Sequence, residues 1–146
     1  MEIEFLGTGT STGVPQLRCC CEVCTSDDKR DNRLRASAIV RVNNHSILID
    51  CGPDFRAQIL RASDSDLDAM LITHSHYDHV GGVDDLRPYC SPDNPFPIFC
   101  QENVATDLRN RVPYCFATKR YPGVPAFDIN IVKEDVPFTF ERIEIE

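Results

Sequence analysis

Six residues constrain this chain more than any others. His74-Ser75-His76-Tyr77-Asp78-His79 gathers three of the four histidines of a 146-residue sequence beside an aspartate, and Gly81-Gly82 follows closely. Neutral imidazole nitrogens and a carboxylate suit zinc, manganese or iron, ions that turn bound water into a nucleophile near neutral pH. Donors so closely spaced need a rigid support. Leu67-Asp68-Ala69-Met70-Leu71-Ile72-Thr73 supplies it, reading as a buried strand that stops where the histidines begin. The ligands are then expected on a loop, with His74 and His76 aimed one way and Asp78 and His79 toward a neighbouring point, so that two adjacent metals can be held. The glycine pair permits a tight turn, with a short helix over 83–89 behind it. A polar loop that is merely rich in histidine is the plain alternative.

Elsewhere strand and helix signals alternate, which predicts an α/β fold. Strands are expected near 2–6, 36–43, 46–51, 67–73, 96–100 and 127–132, and helices near 53–62 and 101–112. In the second helix Val104, Leu108 and Val112 recur every four residues, the stripe of a helix packed on a sheet. Two more short strands, 137–140 and 143–146, flank a turn at Glu141-Arg142. Apolar residues make up 42% of the chain, no apolar run is long enough to span a membrane, and no signal peptide follows Met1, so a cytoplasmic location is expected. The net charge of −8 argues against nucleic acid as a partner, because nucleic acid is bound through Lys and Arg that displace counterions. A phosphate group would have to be held locally, by metal charge.

Eight cysteines without a secretory signal read as thiols or metal ligands rather than disulfides. Cys19-x-Cys21-x-x-Cys24 lets three thiolates converge on one structural zinc from a short loop, with a fourth ligand from elsewhere. Surplus thiols in a mobile loop are the alternative. Cys20 reads as a spectator, and Cys51, Cys90, Cys100 and Cys115 as scattered core cysteines.

HxHxDH followed by two glycines resembles the metallo-β-lactamase superfamily, and Phe5-Leu6-Gly7-Thr8-Gly9-Thr10 and Ile49-Asp50-Cys51-Gly52 align with further features of it. The resemblance covers nearly the whole chain. It implies an αββα sandwich, a hydrolase, and two divalent ions, zinc or manganese, with His74 and His76 on the first and Asp78 and His79 on the second. Asp78 would also steer the attacking water, as the catalytic residue. CxCxxC shortly after a GTG loop is similar to the PhnP-type phosphodiesterases. That likeness implies one structural zinc on Cys19, Cys21 and Cys24, and a small cyclic phosphodiester such as phosphoribosyl 1,2-cyclic phosphate as substrate.

Catalytic metals take about three protein ligands each, and the family completes its sites with later histidines, whereas none follows His79 here. Residues 1–146 are therefore expected to be a single incomplete domain, the N-terminal half of the sandwich, with a zinc loop at 18–25 and no activity alone. Half a sandwich exposes an apolar inner face that invites a partner, and a homodimer is one way to cover it.

Other residues carry two readings each. Asp50 either orients a ligand histidine by accepting its second ring proton or starts a turn. Arg87 either forks onto a substrate phosphate or pairs with Asp84 or Asp85. Tyr77 covers the pocket or packs. The loop from Gly7 to Pro15 is a structural turn or a phosphate contact, although no helix follows it as a phosphate-binding loop requires. His45 reads as a hairpin-tip residue, and Arg33 and Arg35 as a solvated edge. Three other functions are kept. A tRNA 3′-processing nuclease shares the histidine motif but has glycine where Tyr77 stands. A thioester or lactone hydrolase would not need the CxCxxC zinc, and a non-catalytic metal-binding fragment needs only the donors.

Overall fold

A computed structural model describes residues 1–146. In it β1 (Glu2–Gly7), β2 (Ser37–Val42), β3 (His45–Ile49), β4 (Ala69–Leu71), β5 (Phe96–Cys100) and β6 (Phe127–Ile131) lie side by side in that order in one sheet. The first three strands are antiparallel. Asn43 and Asn44 close the β2–β3 hairpin with positive φ at both residues, a conformation asparagine tolerates and the strands' twist favours. From β3 onward the pairing is parallel, so each connection must cross over the sheet. These crossovers carry α1 (Phe55–Ile59), α2 (Tyr77–Val80) with a 3-10 segment at Val83–Tyr89, and α3 (Glu102–Arg111). Finally β7 (Phe138–Phe140) and β8 (Ile143–Ile145) form a separate hairpin turned at Glu141 and Arg142, both at positive φ.

Side chains alternate across a sheet, so one register row lies on one face. The row Ile39, Leu48, Met70, Ile98 and Ile129 crosses five strands, and its first four members are wholly buried in a cluster with Phe55, Val104 and Leu108. Each such side chain contributes about 1.5–3 kcal/mol relative to exposure. The stripe of Val104, Leu108 and Val112 is buried as expected, which seats α3 on this face. The adjacent row, Phe5, Ala38, Ile49, Leu71 and Phe99, lies on the opposite face. At β5 this face is covered, with Phe138 stacked on Phe99 at 5.1 Å between ring centroids and Phe140 edge-on at 5.7 Å. At β1 it is open, and Phe5 is 72% exposed. The carboxyl ends of β3, β4 and β5 come together at one edge, where open α/β sheets hold their ligands. No helix is long and apolar enough to cross a membrane.

Candidate metal centre

The site is organised around Asp50, which directly follows β3 with φ of 60° and is 4% exposed. The left-handed turn is uncommon for a side chain other than glycine, and such conformations persist where surrounding structure enforces them. Here the enforcement is visible. The Asp50 N–H donates to Leu71 O, the buried Ser37 hydroxyl donates to Asp50 O at 2.9 Å, and the Cys51 N–H donates to His79 O. Turned inward, the carboxylate accepts the Thr73 N–H at 2.8 Å on one oxygen and the Thr73 hydroxyl at 2.7 Å on the other. That second oxygen also lies 2.7 Å from His79 Nδ1. Turn-starting and histidine-orienting, posed as alternatives from sequence, are one geometry.

Hydrogen-bond logic then assigns the tautomers. A carboxylate only accepts, so His79 directs an Nδ1–H at Asp50, while its Nε2 faces the Asp78 carboxylate. The Thr73 hydroxyl donates its hydrogen bond to Asp50, so it accepts from His74 Nδ1, 3.0 Å away, and the proton on Nδ1 leaves Nε2 of that ring as its acceptor. One buried carboxylate thereby sets two imidazoles, one directly and one through Thr73, a residue the sequence reading passed over.

The three rings are drawn together, with His74 centred 4.6 Å from His76 and 3.9 Å from His79. The motif does not lie wholly on a loop as expected. Asp78 and His79 sit in α2, a single turn closed by the His79 and Val80 N–H groups donating to His76 O and the Gly81 N–H donating to Tyr77 O. The turn sets the two side by side, with Asp78 Oδ2 3.2 Å from His79 Nε2. It is bolted to the end of β3 by Gly82 N–H to Cys51 O, and so closely that a side chain at Gly52 would collide with the Asp78 carbonyl. Three imidazoles beside a carboxylate are a donor set whose chemistry fits a divalent cation of the zinc or manganese kind, although no three of these donor atoms come within 4.8 Å of one another as the cysteine sulfurs do.

Cys19, Cys21 and Cys24 bring their sulfurs within 4.8 Å of one another in a separate loop, which supplies three of the four ligands a tetrahedral structural zinc takes. The Cys21 thiol is lowered to about 7 by the Cys24 backbone N–H and then by the Cys19 and Cys24 side chains. At Cys24 the Gln16 N–H pulls downward, but burial and the two neighbouring thiols outweigh it and raise the group. Cys20 is exposed, Cys51, Cys100 and Cys115 are buried, and Cys90 is half-buried.

The remaining candidates fall outside the histidine cluster. Arg87 is engaged with the Asp84 side chain one 3-10 turn back, on a cleft with Phe55, Arg56 and Tyr89. Tyr77 packs its ring over Gly81 and is otherwise exposed. His45 opens β3, at the end of the strand away from Asp50, with Nδ1 3.6 Å from the Asp68 carboxylate and its ring against Phe140. Arg35 corrects the sequence reading, because it is no solvated edge. Its guanidinium bonds Asp54 and Ser11 O at 2.8 Å each, and it clamps the Gly7–Pro15 loop to the start of α1. The Gly9 N–H donates to Leu34 O and a side chain at Gly7 would strike Arg35 O, so that loop is packed against 33–35 as a structural turn.

Fold and donor set define a class. Residues 45–146 match the family described as Beta-lactamase superfamily domain, and the chain belongs to it. It is 44% identical over 147 residues to an octanoyltransferase of Porphyromonas gingivalis, spanning all of this chain but 30% of that protein. In structure it is similar to a diphosphatase from the PhnP family, with a TM-score of 0.82 at 34% identity over 95% of this chain and 52% of the other. Zinc-bound PqqB from Methylobacterium extorquens gives 0.76 at 22% identity over 98% and 52%, a likeness of fold alone. The architecture is that of the metallo-β-lactamase fold, of which the chain spans about half in these structures.

Proposed function

We propose that this chain carries the metal-binding face of a hydrolase that cleaves phosphate diesters, with small cyclic phosphodiesters such as phosphoribosyl 1,2-cyclic phosphate as the substrate class. The observation that carries the reading is the Asp50 carboxylate holding His79 directly and His74 through Thr73, so that both present Nε2 beside His76 and Asp78. A carboxylate behind a ligand histidine is the usual support of a metal site. Zinc or manganese bound there would supply a Lewis acid and a nucleophilic water near neutral pH. In this assignment His74 and His76 hold one ion and Asp78 and His79 the other. Asp78 also offers an acceptor that orients the attacking water, while Cys19, Cys21 and Cys24 hold a structural zinc.

The similar solved protein named a diphosphatase supports phosphorus as the centre attacked and adds a second reading, a diphosphate linkage as the bond broken. The octanoyltransferase name belongs to a protein most of which lies outside the match, and it carries no acyl-transfer reading here. The test is turnover of bis(p-nitrophenyl) phosphate in added manganese or zinc by a full-length protein carrying this segment, for the wild type, H76A and D78A, with elemental analysis of each. Turnover that both variants abolish is the expected result, and turnover indifferent to them would overturn the assignment. Metal in the full-length wild type without turnover would favour the non-catalytic binding module.

A further inference from the structure

Ser75 lies between two proposed ligands, and α3 grips it twice. Its hydroxyl donates to Asp107 Oδ2 at 2.6 Å, and Arg111 Nη2 donates to the Ser75 carbonyl oxygen at 3.1 Å. Asp107 and Arg111 are four residues apart and so share one stripe of the helix, beside the buried stripe of Val104 and Leu108 that seats α3 on the sheet. The grip thus connects the histidine segment to a fixed element 32 and 36 residues further along the chain. The backbone is extended at His76, with φ −64° and ψ 151°, and the His74 and His76 ring centroids lie 4.6 Å apart, so the two imidazoles sit together while the Ser75 hydroxyl is bonded to α3. Asp50 and Thr73 orient His74 and His79 but make no hydrogen bond to His76.

We propose that Asp107 and Arg111 are positioning residues, a latch on Ser75 that aims His76 with His74 and thereby sets the metal affinity of the pair. The proposal rests on the metal reading above. The latch lies at the surface, on side chains that α3 does not need for its own packing, so replacing them should alter aim without unfolding the chain.

The experiment is manganese titration of the 146-residue chain, with free ion read by electron paramagnetic resonance. Manganese is chosen because it prefers imidazole and carboxylate to the thiolates of the cysteine loop. D107A, S75A and R111A are each expected to weaken binding about 10-fold, the lower end of what supporting partners contribute, with melting temperatures close to wild type. D107N, whose side-chain carbonyl still accepts the Ser75 hydroxyl, should restore most of the affinity. The double variant S75A/D107A should be no weaker than S75A alone, the non-additivity of a shared contact. Wild-type binding that the three alanine variants leave within twofold overturns the latch and spares the metal reading. A wild-type chain that takes up no manganese overturns both.

Discussion

Cys19, Cys21 and Cys24 reach one another from a single loop, and their sulfurs converge with local backbone alone: the Cys19 N–H donates to Gln16 O, and the Thr25 N–H to Cys21 O. The histidine motif depends on distant parts of the chain. Its aim is taken from Asp50 at the end of β3, from Ser37 behind Asp50, from Gly52 beneath α2, and from Asp107 and Arg111 on α3. The cysteines form a compact triple, whereas the histidines and Asp78 form two neighbouring pairs, with only His79 and His74 tied to the same carboxylate. A structural zinc needs closure from whatever is near, while a catalytic ion needs donors fixed from several sides with positions left open. The cysteine triple is built locally, and the histidine group is held from distant parts of the chain.

Separating the two centres gives the largest effect. His76→Ala should weaken manganese binding by more than the roughly 10–100-fold that loss of a supporting partner brings, yet leave zinc at the cysteines, and Cys21→Ser should do the reverse. Elemental analysis of both variants reads this, and a variant that empties both centres would break the comparison. Next in size is Asp50→Asn, which keeps the shape but cannot serve His79 Nδ1 and both Thr73 donors as an ionised carboxylate does. A loss of about 10–100-fold in manganese affinity is expected, and an unchanged value would show that the rings need no carboxylate.

Gly52→Ala should follow, destabilising the chain by about 1–3 kcal/mol through the collision with the Asp78 carbonyl. Urea unfolding measures it, and an undiminished midpoint would mean that α2 is not bolted to β3 as described. The smallest effect lies in the cysteine loop of the metal-stripped chain. Cys21, lowered to about 7, is a thiolate above that pH and a thiol below it, so its alkylation by iodoacetamide should accelerate as pH rises through neutrality. Cys24, which is raised, should lag, and mass spectrometry of the modified peptides separates them. Equal rates at the two would remove the asymmetry of the loop.

Much of the fold was readable before any coordinates. The register row Ile39, Leu48, Met70 and Ile98 comes from strands that were all expected, although β4 is three residues long where 67–73 was expected, and the α3 stripe was visible as a four-residue recurrence. Positive φ at Glu141 and Arg142 falls where the turn was expected. The clamp of Arg35 on Asp54 and Ser11 was read as a solvated edge because a charged residue before a strand carries no sign of a partner 19 residues away. α2 was read as loop because its one turn is too short to show helical periodicity.

The sequence by itself determined the donor types and their spacing, since HxHxDH and CxCxxC are local patterns and ligand chemistry follows from residue identity. It also determined where the strands run, because burial imposes a periodicity that can be counted. Which imidazole nitrogen faces the site, that Thr73 relays the Asp50 carboxylate to His74, and that Ser75 is held from α3 were decided by tertiary structure alone. Those contacts join residues 23 to 36 positions apart or depend on them. A hydrogen bond of 2.6–2.8 Å between such residues exists only once the strands between them have paired and twisted into place.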